Sequence, residues 1–109
     1  MPPAILADIT VIDMTEGVAG PYAAMVLSDM GAEVIKVERP AGDWSRPADH
    51  FTVDGEQNAQ FISLNRNKRN IGLDVASRGG KRVLARMVAR GRAAFQLPAG
   101  GDGAAGLRL

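Results

Sequence analysis

Apolar positions along the chain fall into two spacings. Residues 9–14 (ITVIDM) form a short run rich in β-branched side chains, as a strand buried on both faces would. Residues 32–38 (AEVIKVE) repeat that character. Between them, residues 21–30 carry Ala, Met, Val and Leu as a helix would. Pro21 suits the first helical position and Gly31 the left-handed position just past the last turn. Strand, short helix and strand at this spacing predict a βαβ unit and a parallel sheet.

Residues 39–60 are polar and punctuated by Pro40, Gly42, Pro47 and Gly55, which predicts a loop. FISLN (61–65) fits either a short strand or the end of a helix, and NIGLDV (70–75) reads as a further short strand. From Ser77, a suitable N-cap, a helix is expected to about residue 90, with Val83, Leu84, Met87 and Val88 on one face. The last thirteen residues, LPAGGDGAAGLRL, have no periodicity, cap or strand pattern.

The length of 109 residues suits one domain with a modest core. With no cysteine and a single histidine, the chain has no disulfide framework and no thiolate chemistry, and a transition-metal site is not expected. His50 has no evident partner and reads as a surface residue rather than a catalytic base. No apolar run approaches membrane-spanning length, and the N-terminal stretch lacks the basic start of a signal peptide, so a cytoplasmic location is expected.

The formal net charge of +1 hides an asymmetry. Only Lys36, Arg39 and Arg46 are basic before residue 64, whereas residues 64–92 carry nine basic side chains against Asp74 alone. Such a block suits a solvated helix face, a phosphate-bearing ligand or nucleic acid. The scarcity of aromatics beside it to stack on bases makes nucleic acid the weakest of the three.

Three stretches could carry chemistry. The turn TEGVAGP (15–21) lies where an open α/β sheet binds anions, at the carboxyl end of a strand and the start of a helix. It lacks the G-x-G-x-x-G spacing of dinucleotide sites, so a small NAD-dependent enzyme with Glu38 as the ribose acid is disfavoured. Arg39, just past the second strand, could pair with a phosphate, stack on a purine or lie in solvent. NRNKRN (65–70) could gather around phosphates or, as the spacing favours, cap and solvate a loop.

Taken together and in order, VIDMTEGVAGPYAAMVLSDMGAEVIKVERP, GDWSR and SLNRNKRNIGLDV resemble the N-terminal part of the class III CoA-transferase (CaiB/BaiF) family. That resemblance spans residues 5–89 and implies an α/β fold: part of a Rossmann-like, CoA-binding parallel sheet with flanking helices. It implies coenzyme A, as an acyl-CoA thioester, as the ligand, with no metal, nucleic acid or membrane partner. Matched position by position, the CoA contacts would be Val18 and Ala19 in the first βα turn, Arg39 after the second strand, and Leu73, Asp74, Val75 and Ala76. The family often has Lys where this chain has Ala76, which removes one phosphate contact. The parent enzymes are interlocked homodimers, an assembly this shorter chain is not expected to form. Their transferases use an Asp nucleophile to form an acyl-enzyme anhydride, and that Asp corresponds to a position beyond residue 109. No catalytic residue is therefore assigned. The family's racemase branch, of the alpha-methylacyl-CoA racemase type, and a non-catalytic CoA- or nucleotide-binding module remain open alternatives.

The family would continue after the last helix with something like ADVLVENFRPGAMERLGLG, whereas this chain has RGRAAFQLPAGGDGAAGLRL. If the reading frame is displaced by one base, the codons from Arg90 onward can encode ADVLL, one Ser or Phe, then NFRPGAMERLG. Residues 90–109 are therefore expected to be an out-of-frame tail, disordered or ill packed, with an authentic divergent C-terminus as the alternative. On this reading the chain lacks the catalytic centre, and strands one and two lack the neighbours that would bury them.

Overall fold

In the computed structural model, residues 4–47, 52–53, 57–91 and 93–95 are described. The strands β1 (Thr10–Asp13), β2 (Glu33–Glu38), β5 (Arg69–Gly72) and β6 (Ala93–Phe95) form one sheet in the order β5-β2-β1-β6. Every pairing in that sheet is parallel, with Val11 opposite Val34 and Ala93, and Val37 opposite Ile71. The expected α/β architecture is present, and β1 and β2 each have a neighbour on both sides, contrary to the expectation that they would lack them. β6 lies at the start of the stretch read as tail; residues 96–109 lie outside the described residues.

Alternation along the strands sends successive side chains to opposite faces. Val11 and Val34 pack with Ala24 and Ala32 beneath α1 (Ala19–Asp29). Ile12 and Val37 pack on the other face with Leu84 of α3 (Arg78–Arg90), joined by the half-buried Ile35, Ile71, Met87 and Val88. The helix expected over 77–90 is thus found, with Ser77 accepting from the backbone N–H of Gly80 at 2.9 Å. Val83, however, sits at the rim, 39% exposed, rather than on the packed face.

Other boundaries differ for identifiable reasons. α1 starts at Ala19, so Pro21 is its third residue; the first four N–H groups of a helix have no intrahelical acceptor, and proline there removes no bond. Gly31 takes φ +105°, the left-handed stop expected of it. The segment expected as loop holds two two-residue strands, β3 (Thr52–Val53) and β4 (Gln57–Asn58), paired antiparallel. FISLN belongs to a helix, α2 (Ala59–Leu64), which Asn58 caps by accepting from Gln60 and Phe61. The third strand of the parallel series ends at Gly72, leaving residues 73–77 as a loop.

Candidate functional site

Because the four strands run parallel, the turn after β1, the loop after β2 and the loop after β5 all emerge on one edge. The first turn is shaped by small residues. Gly17 adopts φ +84°, and a Cβ there would lie 2.6 Å from the Trp44 ring. A Cβ on Gly20 would lie 2.3 Å from Cβ of Thr15. Asp13 anchors the turn from below, its Oδ1 accepting from the Thr15 backbone N–H at 2.9 Å and from the Thr15 hydroxyl. Val18 and Ala19 then stand exposed where α1 begins, beside helix N–H groups that lack intrahelical acceptors.

Arg39 reaches this turn from the next strand. Its Nε lies 2.9 Å from Glu16 Oε1, and its Nη2 donates to Oε2 at 3.1 Å. The Nε also donates to the Gly42 carbonyl at 3.2 Å. Glu16 is largely covered, with 17% of its side chain exposed, while Arg39 is 54% exposed, so the fork is held on one edge and open to solvent beyond it. The third loop is tied to the second by the Leu73 N–H, which donates to the Glu38 carbonyl at 2.8 Å. Leu73 and Val75 turn inward against the Ile12, Val37 and Leu84 cluster, while Asp74 and Ala76 are exposed. The Asp74 carboxylate accepts from the Ala76 N–H, closing a tight turn at the start of α3.

Beneath these loops, on the α1 side of the sheet, lies a buried polar layer. Lys36 donates to Asp43 at 2.8 Å and to the Thr15 carbonyl at 2.9 Å, with both charged side chains shielded from solvent. Asp43 also accepts from the Gly17 N–H at 3.4 Å and from the backbone and hydroxyl of Ser45. Lys68 donates to Asp13 at 2.8 Å, to the Pro21 carbonyl and to Asn65. Glu38 receives a two-pronged grip from Arg46, 2.7 Å at each oxygen, and a further bond from Asn70. The Arg46 guanidinium in turn sits 4.2 Å from the centre of the Phe61 ring.

These contacts set the charge states. Burial alone would raise the Glu38 carboxyl, but the bonds from Arg46, Asn70 and the Asp43 N–H outweigh it and hold it below its ordinary value. Asp43 is likewise pushed up by burial and pulled down further by Lys36 and Ser45, with a net lowering. Burial lowers Lys68 below its ordinary value despite the opposing pull of Asp13. The guanidinium of Arg46 is raised by its bonds to Glu38.

Val18, Ala19, Arg39, Leu73, Asp74, Val75 and Ala76 therefore share one edge of the sheet, linked through Glu16–Arg39 and Glu38–Leu73. Glu38 is not available as a ribose acid, since both its oxygens are engaged. All six side chains of NRNKRN bond within the chain: Asn65 to Phe61, Arg66 to Asp29, Asn67 to Ser28, Lys68 to Asp13, Arg69 to Glu33 and Asn70 to Glu38. They brace a loop and do not form a phosphate cluster. His50 lies outside the described residues. Glu16, Lys36, Asp43 and Trp44 are the members that sequence reasoning did not assign. A lysine inside the apolar run of β2 was the available signal, because lysine is seldom fully buried without a partner. Among the described residues, no group of three or more His, Cys, Asp or Glu could hold a metal ion, and no helix is long and apolar enough to cross a membrane.

Comparison with known proteins locates this architecture. The family model described as CoA-transferase family III matches residues 6–92. Over 88 residues the chain is 43% identical to succinyl-CoA:mesaconate CoA-transferase of Haloarcula hispanica, a match spanning 78% of this chain and 22% of that enzyme. Over 85 residues it is 42% identical to succinyl-CoA:glutarate CoA-transferase of Mus musculus, spanning 77% of this chain and 19% of that enzyme. Among solved structures, Rv3272 from M. tuberculosis aligns with a TM-score of 0.79 at 33% identity, covering 88% of this chain and 27% of that one. A CAIB/BAIF family protein from Brucella suis aligns with a TM-score of 0.76 at 34% identity, covering 85% of this chain and 25% of that one. The matched stretch thus spans about a fifth of the curated relatives' length.

Proposed function

The chain belongs to CoA-transferase family III, and from that membership we propose that its sheet edge is the amino-terminal part of a CoA thioester site. In this reading the parent reaction is transfer of CoA from an acyl-CoA to a carboxylic acid in the cytoplasm. Val18 and Ala19 line the ligand at the start of α1, Arg39 meets the nucleotide end, and residues 73–76 close the far side. In this reading these residues contribute binding, with no residue of the edge assigned to attack the thioester, and Glu16 serves to hold Arg39. The residues from 90 onward are read as out of frame.

The observation that carries this reading is the Glu16–Arg39 pair, which holds a half-exposed guanidinium against the turn that presents Val18 and Ala19. Trp44, the single tryptophan, packs on Gly17 in that same turn and reports on it. Titrating CoA against Trp44 fluorescence should give a saturable change. Arg39→Ala should weaken it about ten- to a hundredfold, the loss of one charge-assisted contact of about 1.5–3 kcal/mol. An unresponsive Trp44 together with no calorimetric heat would rule the reading out, as would acyl transfer by the purified chain for its catalytic half.

A further inference from the structure

The basic residues of this chain divide into two groups. Outside α3, every described cation has a carboxylate partner: Lys36 with Asp43, Arg39 with Glu16, Arg46 with Glu38, Arg66 with Asp29, Lys68 with Asp13 and Arg69 with Glu33. On α3, Arg78, Lys81, Arg82, Arg86 and Arg90 are all exposed, and among the described residues none of them has one. The four arginines recur every fourth residue, which places them as like-charge neighbours along one row. Arg78 and Lys81 further oppose the positive end of the helix dipole. No acidic residue lies anywhere on this helix to offset the repulsion.

We infer that the outer face of α3 is a docking surface for an acidic helix of another polypeptide. The row advances about 6 Å per four residues, the same rise that separates carboxylates at every fourth position of a partner helix. Gly79, Ala85 and Ala89 lie among the arginines and let a second backbone approach, while the exposed Val83 offers an apolar contact at the rim. A lipid surface does not fit, because the apolar side of the helix, at Leu84, Met87 and Val88, is already packed on Ile12 and Val37. A second copy of this chain does not fit either, since none of its described helices carries carboxylates at every fourth position. Nucleic acid is less well matched, since the exposed face carries no Asn, Gln or aromatic side chain to meet bases.

The test uses the full chain and three probes at low and moderate salt. These are a helical peptide with Glu at every fourth position, a scrambled peptide of equal composition, and a duplex oligonucleotide. The patterned peptide should bind saturably and more weakly as salt rises. The scrambled peptide should bind about tenfold less tightly, because only the pattern matches the row. Arg82→Glu/Arg86→Glu should lose about tenfold in affinity with the far-ultraviolet circular dichroism unchanged. If the charge reversal disturbs folding, Arg82→Gln/Arg86→Gln should show a smaller loss in the same direction. Equal binding of both peptides, tighter binding of the duplex, indifference to the substitutions, or no binding by any probe at low salt would each overturn the inference.

Discussion

Lys36 and Lys68 both end among oxygen atoms and away from water, an arrangement that costs desolvation and is held only while every partner is present. Removing one partner leaves a buried charge uncompensated. Lys68→Ala should therefore lower stability by about 3–5 kcal/mol in urea unfolding, as breaking a buried pair does, and an effect below about 1 kcal/mol would show that the pair is not shielded as described. The carboxylates of Glu38 and Asp43 set the acid response. Both sit below their ordinary values when folded, so their contribution is complete above the unfolded values of about 4 and is lost as the pH falls through the lower folded values. Urea midpoints should drop below about pH 4, with Glu38→Gln giving a lower starting stability and a shallower acid limb. A limb of unchanged steepness would remove Glu38 from the account. Sequence pattern showed Arg39 and the apolar strand positions, but not these pairs. Lys36–Asp43 joins a strand to a loop across seven residues and Lys68–Asp13 spans 55, and nothing local in the chain encodes either meeting.

At the scale of elements, the loop that leads into α3 depends on a glycine without side-chain room. Gly80 sits in the first turn of α3, and a Cβ there would lie 1.7 Å from the Asp74 carbonyl oxygen, a backbone atom that cannot move aside alone. Gly80→Ala should thus displace residues 73–77 and cost about 1–3 kcal/mol, the range for forcing an extra carbon into a packed site. Gly79, the residue before it, has open space around its Cβ direction. Gly79→Ala should be neutral or stabilising by up to about 1 kcal/mol through helix propensity, and thermal melts of the two variants side by side provide the check. α1, α3 and the first two strands were legible because their periodicity and stop signals are local, with Ser77 at one N-cap and Gly31 at one C-terminus, whereas FISLN fitted a strand or a helix equally. The end of β5 was not, because Leu73 and Val75 continue an apolar pattern while serving a loop that packs under α3. The two-residue strands around 52–58 carry too little pattern to be seen at all.

At the scale of the whole molecule, a four-stranded parallel sheet, the edge proposed to meet CoA and a basic helix that starts beside that edge lie within a length that spans about a fifth of related enzymes. Family membership was legible in the order of three motifs, which together supply β1, α1, β2, the Trp44 loop and the entry to β5. The matched stretch covers 22% and 19% of the two transferases compared, so most of each enzyme's length has no counterpart in it. The turn at residues 16–20, Arg39 and the loop at residues 73–76 are proposed to act as one surface for CoA. Mapping backbone amide shifts of the labelled chain during a CoA titration tests this most directly. Saturable shifts should concentrate on Glu16, Gly17, Val18, Ala19, Arg39 and residues 73–76, and weaken in Arg39→Ala. Shifts clustered on α3 instead, or a spectrum unchanged by CoA, would contradict it.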